Sequence, residues 1–165
     1  MNVLPYAMMI TLRRLTPADW DDARTLSVAQ AQREFVGTLD DILDAAQPTD
    51  HFHFIERDNE PVGFCNIDTA YSQYYEFAEP GELGLRSFLI DQRFQGQGLG
   101  KATSAALLPY LKRHYHQHPA IVLTVNQRNL AAYHLYRLAG FEDDGELYLG
   151  GAAGPQHVLR LRLNA

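Results

Sequence analysis

The chain has almost no sulfur chemistry, no excess of positive charge and no long apolar run. Among its 165 residues there is one cysteine, Cys65. An internal disulfide is therefore excluded, and a reducing, cytoplasmic setting is expected. Cys65 lies in an apolar, strand-like run and reads as a buried thiol rather than a nucleophile. Lys and Arg number 14 against 20 Asp and Glu, a net charge of −6. That balance argues against a general nucleic-acid surface and is mildly consistent with a cationic small-molecule partner. No apolar stretch reaches membrane-span length, so no membrane partner is expected. A basic segment followed by a long apolar core is missing at the N-terminus, so no signal peptide is expected. Repeats, low-complexity segments and linkers are also absent. What is there is ordinary for a globular protein: 46% hydrophobic and 21% charged, at a length that fits one domain over residues 1–165. Residues 1–8 read as a loose extension, and Met8 or Met9 could equally be a start.

The most informative stretch is Arg93-Phe94-Gln95-Gly96-Gln97-Gly98-Leu99-Gly100-Lys101. An apolar run, Leu83 to Ile90, leads into it, and a helix-period run, Leu99 to about Tyr115, leads out. Glycines at a strand-to-helix turn let the backbone approach a ligand closely. The first turn of the following helix offers unpaired N–H groups and the positive end of its dipole, which suits phosphate. The glycine spacing does not fit a dinucleotide fingerprint. A Walker loop would need Gly where Gln95 stands and Ser or Thr where Ala102 stands. What remains is Gln95-x-x-Gly98-x-Gly100.

In chain order, Met9 to Leu15 alternates as a first strand. Thr16 then caps a helix with Pro17 at its first position, predicted to run to about Ala31. A short helix follows from Leu39 to Ala46. His51 to Glu56 and Pro61 to Thr69 are strands joined by a turn at Asp58-Asn59-Glu60. Ala70 to Gly81 is a polar-aromatic loop. Leu83 to Ile90 is the fourth strand. Pro109 should kink or break the long helix that follows the glycines. Ala120 to Val125 is a buried strand, Gln127 to Ala139 a helix capped by Gly140, and Phe141 to Leu149 a strand. His157 to Leu163 closes the sheet, with Arg160 and Arg162 outward. The alternating pattern makes this an α/β chain.

Asn129-Leu130-Ala131-Ala132-Tyr133-His134-Leu135-Tyr136-Arg137-Leu138-Ala139-Gly140-Phe141 is the second informative stretch. Ala132 and Leu135-Tyr136 fall about one helical turn apart on one side. Together with Gln95-x-x-Gly98-x-Gly100, it resembles the two signatures of the GNAT N-acetyltransferases. The element order matches over nearly the whole chain, and the specific residues lie between Leu83 and Phe141. The resemblance implies a mixed, mostly antiparallel sheet of six to seven strands flanked by about four helices. It implies acetyl-CoA as cosubstrate, no metal, and direct acetyl transfer to a small-molecule amine. It places the pyrophosphate on Gln95, Gly96, Gln97, Gly98, Leu99, Gly100 and Lys101. The pantetheine arm is expected along Phe88, Leu89 and Ile90, with a further coenzyme contact at Asn129. Tyr136 is the expected acid for the leaving thiolate and also a coenzyme contact. The oxyanion donor is expected near Leu89 N–H.

The stretch Leu85 to Asp91 through Phe94-Gln95-Gly96 looks most like the diamine and polyamine acetyltransferase branch, a family setting in which a homodimer is possible. Acids and tyrosine faces in the loop suit a cation, which makes Asp68, Tyr71, Glu76 and Glu82 the expected amine contacts. Many family members carry a glutamate base within strand four. Here that position holds Gly84-Leu85-Arg86-Ser87, so the base is open among Glu82, Asp68 and Glu76, with Glu82 as the residue assigned. Acceptors other than polyamines, and a coenzyme A-binding module without catalysis, stay as alternatives. His114, His116 and His118 read as a polar helix end rather than a metal site.

Overall fold

The protein, seen in a computed structural model that describes residues 9–164, is built on one seven-stranded sheet. The proposed extension at residues 1–8 lies outside the described residues. Strands β1 (Ile10–Arg14), β2 (Asp50–Arg57), β3 (Glu60–Asp68) and β4 (Leu83–Ile90) are successive antiparallel neighbours. Asp58 and Asn59, with φ of 50° and 71°, form the tight β2–β3 turn. Both residue types tolerate the left-handed region, and that conformation matches the twist of the strands it joins. Strands β5 (Ala120–Asn126), β6 (Glu142–Tyr148) and β7 (Gln156–Arg162) form the other half, in the spatial order β5-β7-β6. The chain's last strand therefore inserts between β5 and β6 instead of closing an edge. The halves meet where β4 runs parallel to β5, paired only at Leu83–Ile121 and Gly84–Val122.

Helices cover both faces. Helix α4 (Leu99–His114) and α5 (Leu130–Leu138) bury Leu99, Leu107, Leu111 and Tyr136 against Ile55, Ile67, Leu85 and Leu123. On the opposite face, α1 (Trp20–Ala23), α2 (Arg33–Val36), α3 (Leu39–Asp44) and the chain between them cover Phe52, Phe54, Phe64 and Leu89. Each fully buried Leu or Phe contributes about 1.5–3 kcal/mol, so these two layers dominate the stability.

The predicted first helix is not continuous. A 3-10 turn over Pro17–Asp19 leads into α1, and the chain leaves helix after Ala23. The reason lies in another element. Ser27 N–H donates to the buried Asp91 carboxylate at 2.9 Å, and Gln92 N–H donates to Ser27 O at 2.8 Å. Those bonds tie the segment to the end of β4, while Leu26 and Val28 turn into the core. Pro109 does not end α4, which runs unbroken past it with the proline exposed. The helix predicted from Gln127 begins at Leu130, because Asn129 is its cap. Gly140, with φ of 104°, follows its end as predicted. Cys65 is fully buried, which pushes its thiol up to about 12.

Candidate active site

Past the two shared pairs, β4 and β5 diverge, and the gap between them is a cleft of about 790 Å³. A bulge in β4 shapes it. Asn66 faces Arg86 and Phe64 faces Leu89, so three steps along β4 match two along β3. The extra residue is accommodated at Ser87, whose φ is +55°. The bulge resets the alternation of side chains. Leu83 and Leu85 point into the core under α4 and α5 before it, and Phe88 and Ile90 do so after it, while Leu89 joins the opposite core. Phe88, Leu89 and Ile90 all line the cleft.

Asp91 N–H donates to Val62 O at 2.8 Å. With Leu89 opposite Phe64, the alternation of an antiparallel ladder puts Leu89 in a bonded pair with β3. Leu89 N–H, near which the oxyanion donor is expected, is thus turned toward β3, and the backbone groups of Ile90 face the side that β5 has left. Ile90 O already accepts from Gln95 Nε2 at 3.2 Å, so Gln95 braces the strand end as well as lining the cleft.

The glycine turn hangs from Asp91, whose carboxylate accepts from Arg93 N–H at 2.9 Å and Arg93 Nε at 2.8 Å. Gly96 and Gly98 have φ of 78° and 74°, and no atom lies within 4 Å of where a side chain would begin. Both thus leave open space on the cleft side of a left-handed backbone, the cradle that a bulky anion needs. Gly98 caps α4, and the cap N–H groups and dipole of this 16-residue helix point at the turn. Gly100 brings α4 close to α5, where Leu135 lies 3.5 Å from the position of its missing Cβ. Lys101 lines the cleft and Leu99 anchors the turn in the core. The Gln97 side chain leaves the cleft and accepts a hydrogen bond from Arg57.

On the other wall, Asn129 Oδ1 caps α5 by accepting from Ala132 N–H at 3.3 Å. Ala132, Leu135 and Tyr136 line the cleft together, as their spacing predicts. The Tyr136 ring is held edge-on by Phe88 and Phe141, at centroid distances of 5.7 and 5.5 Å. Among the described residues no hydrogen bond reaches its hydroxyl. Burial pushes the phenol above its ordinary pKa, so it carries its proton at neutral pH.

The expected cation site in the aromatic loop is already filled. Arg86 lies 5.2 Å from the ring centres of both Tyr71 and Tyr75 and forms an ion pair with Asp68 at 3.0 Å. The chain's own guanidinium occupies the place assigned to substrate. Tyr71 still lines the cleft. Glu76 is exposed and lines neither the cleft nor the smaller cavity beside it. Glu82 is also absent from both, which removes the geometry needed for a base. Its carboxylate is buried against Arg160, which donates at 2.7 and 3.0 Å. Arg160 is correspondingly not outward: its side chain is 12% exposed and also donates to Phe77 O at 2.9 Å. Among the described residues no group of three His, Cys, Asp or Glu could hold a metal, and no helix is long and apolar enough to cross a membrane.

Two contributors escaped the sequence reading. Phe35 of α2 lines the cleft, with Arg128 at 5.7 Å from its ring centre. It reaches the cleft from α2, which packs beside β4, and no local pattern marks it. The second contributor is the smaller cavity of about 450 Å³, lined among others by Asp50, Asn66, Asp68, Tyr75, Arg86 and Ser87.

Comparisons with known proteins agree with this geometry. A model described as the acetyltransferase (GNAT) family matches residues 11–141. The chain is 29% identical over 146 residues to the spermine/spermidine N(1)-acetyltransferase of Bacillus subtilis (strain 168), covering 87% of this chain and 95% of that protein. Its fold is similar to that of the aminoglycoside acetyltransferase AAC(6′)-Ib in complex with coenzyme A, with a TM-score of 0.75 at 23% identity over 93% of this chain and 95% of that one. The ribosomal-protein-S18-alanine N-acetyltransferase from Escherichia coli gives a TM-score of 0.67 at 20% identity, over 95% of this chain and 96% of that one. The diverging strands, the glycine turn at the head of α4 and the match over residues 11–141 make one conclusion: the chain belongs to the acetyltransferase (GNAT) family, as an N-acetyltransferase that uses acetyl-CoA.

Proposed function

We propose that this protein moves the acetyl group of acetyl-CoA directly to a primary amine, and that the amine is a diamine or polyamine. The observation that carries the acceptor class is the likeness, over 87% of the chain, to a relative named for spermine and spermidine. Acetyl-CoA, when bound, supplies an acetyl group already activated as a thioester. The chain's own residues supply the rest. The N–H groups at the Gly96–Lys101 turn hold the pyrophosphate, and Lys101 adds a positive charge. Phe88 and Ile90 would line the path of the pantetheine arm, and the open backbone of β4 would offer its amides partners. Ile90 N–H stabilises the carbonyl oxygen as charge builds on it. The protonated Tyr136 phenol donates to the departing sulfur.

Among the described residues no carboxylate lines the cleft, and the nearby Asp68 and Glu82 are held by Arg86 and Arg160. The acceptor therefore sheds its proton to water, aided by the apolar walls and the Arg86 charge, both of which disfavour an ammonium. The test is an acetylation screen over diamines, polyamines, monoamines, an aminoglycoside and peptide N-termini, read by thiol release. The expected result is turnover with the first two classes well above the others. Preference for a peptide N-terminus or an aminoglycoside would replace the acceptor assignment.

A further inference from the structure

The smaller cavity meets the cleft at Tyr75, Arg86 and Ser87, the residues that line both. It opens on the far side of the β4 bulge, between α3 and the ends of β2 and β3. Its polar lining does not balance itself. Asp68 is neutralised by Arg86 at 3.0 Å and accepts from Ala70 N–H at 2.9 Å. Asp50 is different. Its oxygens accept from Asn66 Nδ2 at 3.0 Å and Gln47 N–H at 2.9 Å, but among the described residues no Lys or Arg pairs with it. Its titratable neighbour His51 is held below its ordinary pKa by burial, so that ring does not cancel the charge near pH 7.

The bond to Asp50 also fixes which way the Asn66 amide faces. Nδ2 is committed to the carboxylate, and the amide oxygen is left over. Asn66 is 5% exposed, and Oδ1 has no hydrogen-bond partner. A buried acceptor left unpaired keeps its desolvation cost, so a donor from a ligand would recover free energy there. Tyr74 and Tyr75 add aromatic surface to the same cavity. One unneutralised carboxylate, one orphaned amide oxygen and phenol rings match an alkylammonium: three donors, one positive charge and an apolar stem.

We propose that this cavity receives the second ammonium group of an α,ω-diamine acceptor, held by Asp50 and Asn66 Oδ1, while the first amine passes Ser87 into the cleft. This rests on the acetyl-transfer reading above and sharpens it. The selectivity for a two-ended amine then resides in Asp50 and Asn66 and not in Glu76 and Glu82.

The experiment compares 1,4-diaminobutane with 1-aminobutane, which differ only in the second ammonium. Both kcat/KM values are measured for the parent, Asp50→Asn and, as a control, Glu76→Gln. Binding of 1,4-diaminobutane to the coenzyme A-loaded protein is measured in parallel by calorimetry. The parent should prefer the diamine at least tenfold. Asp50→Asn should erase that preference and weaken diamine binding at least tenfold, with 1-aminobutane turnover and melting temperature retained. Glu76→Gln should match the parent. Equal rates for the two amines in the parent, or a preference that survives Asp50→Asn, would overturn the site. If no amine is acetylated, binding decides: diamine binding that depends on Asp50 keeps the site and removes the acetyl-transfer reading, and absence of binding removes both. Should Asp50→Asn fail to fold, Asn66→Leu, which deletes the orphaned acceptor, replaces it with the same expected loss of preference.

Discussion

Arg160 donates two hydrogen bonds to the Glu82 carboxylate, at 2.7 and 3.0 Å, beneath the aromatic loop and away from the cleft. The pair crosses from β7 to the entrance of β4 and pins one half of the sheet to the other. Removing one partner of a buried ion pair leaves the other charged and desolvated. Glu82→Gln should therefore lower the unfolding free energy by about 3 kcal/mol. Its kcat per folded molecule should match the parent. Denaturant unfolding and steady-state kinetics on the same preparation check this, and a large loss of turnover at unchanged stability would restore Glu82 as a base.

Gly98 combines a left-handed φ of 74° with open space in front of it. Gly98→Val puts a branched side chain into that space and strains the turn. Coenzyme A affinity should fall at least tenfold, about 1.4 kcal/mol. Calorimetry reads the affinity and a melting curve reads the strain. Unchanged affinity with a lower melting temperature would assign the glycine to backbone conformation alone.

Tyr136→Phe deletes only a hydroxyl that has no hydrogen-bond partner among the described residues. Nothing is stranded by its loss, so stability and acetyl-CoA affinity should change little. Turnover should fall by the roughly 10²–10⁴-fold that a general acid contributes. Because burial raises this phenol's pKa above 10, its deprotonation should not limit the parent rate up to about pH 10. Steady-state rates from pH 6 to 10 for both proteins check the assignment, and full turnover in the variant would end it.

His53 is fully buried on β2. Its Nδ1 lies 2.7 Å from His51 O and its Nε2 lies 2.6 Å from the Tyr110 hydroxyl. A carbonyl only accepts, so Nδ1 carries the hydrogen, and in the neutral ring that burial enforces near pH 7 Nε2 accepts from the Tyr110 hydroxyl. Burial holds its pKa down to about 4, from 6.5. The unfolded chain then binds a proton that the folded chain refuses. This contribution is fully present above pH 6.5 and is lost as pH falls from there toward 4. Between pH 8 and pH 5 the loss should be about 2 kcal/mol, since each pKa unit is worth about 1.4 kcal/mol. Urea unfolding at the two pH values measures it. His53→Gln keeps a polar group but cannot titrate, and should flatten the difference.

The strands, the glycine turn and the caps were legible because each rests on local chemistry. An apolar run marked β4, φ-tolerant residues marked Asp58-Asn59 and Gly140, and the 95–101 stretch marked the head of α4. The readings that moved depended on partners distant in the chain. Ser27 leaves helix because Asp91, 64 positions on, claims its N–H. Glu82 looked available until Arg160, 78 positions on, closed over it. The tyrosines of the loop invite a cation, and a cation is there, but Arg86 supplies it. The Ser87 bulge carries no residue-type signal, since its φ of +55° falls on a serine and not a glycine. Asn66 likewise passed as an ordinary strand residue, and Asp50 fell just outside the strand expected from His51.

Only two residue pairs, Leu83–Ile121 and Gly84–Val122, stitch the sheet together across its middle. Gly84 is roofed so closely by Tyr71 that an added Cβ would fall 2.0 Å from the ring. The seam is thus short, bare of a side chain at one of its two positions and sealed by a single aromatic lid. In mechanical terms the sheet is two plates joined by a narrow backbone seam, with the core under α4 and α5 shared between them. A ligand that bridges the plates ties their fluctuations together, so its binding should register as slowed hydrogen exchange on both sides of the gap at once.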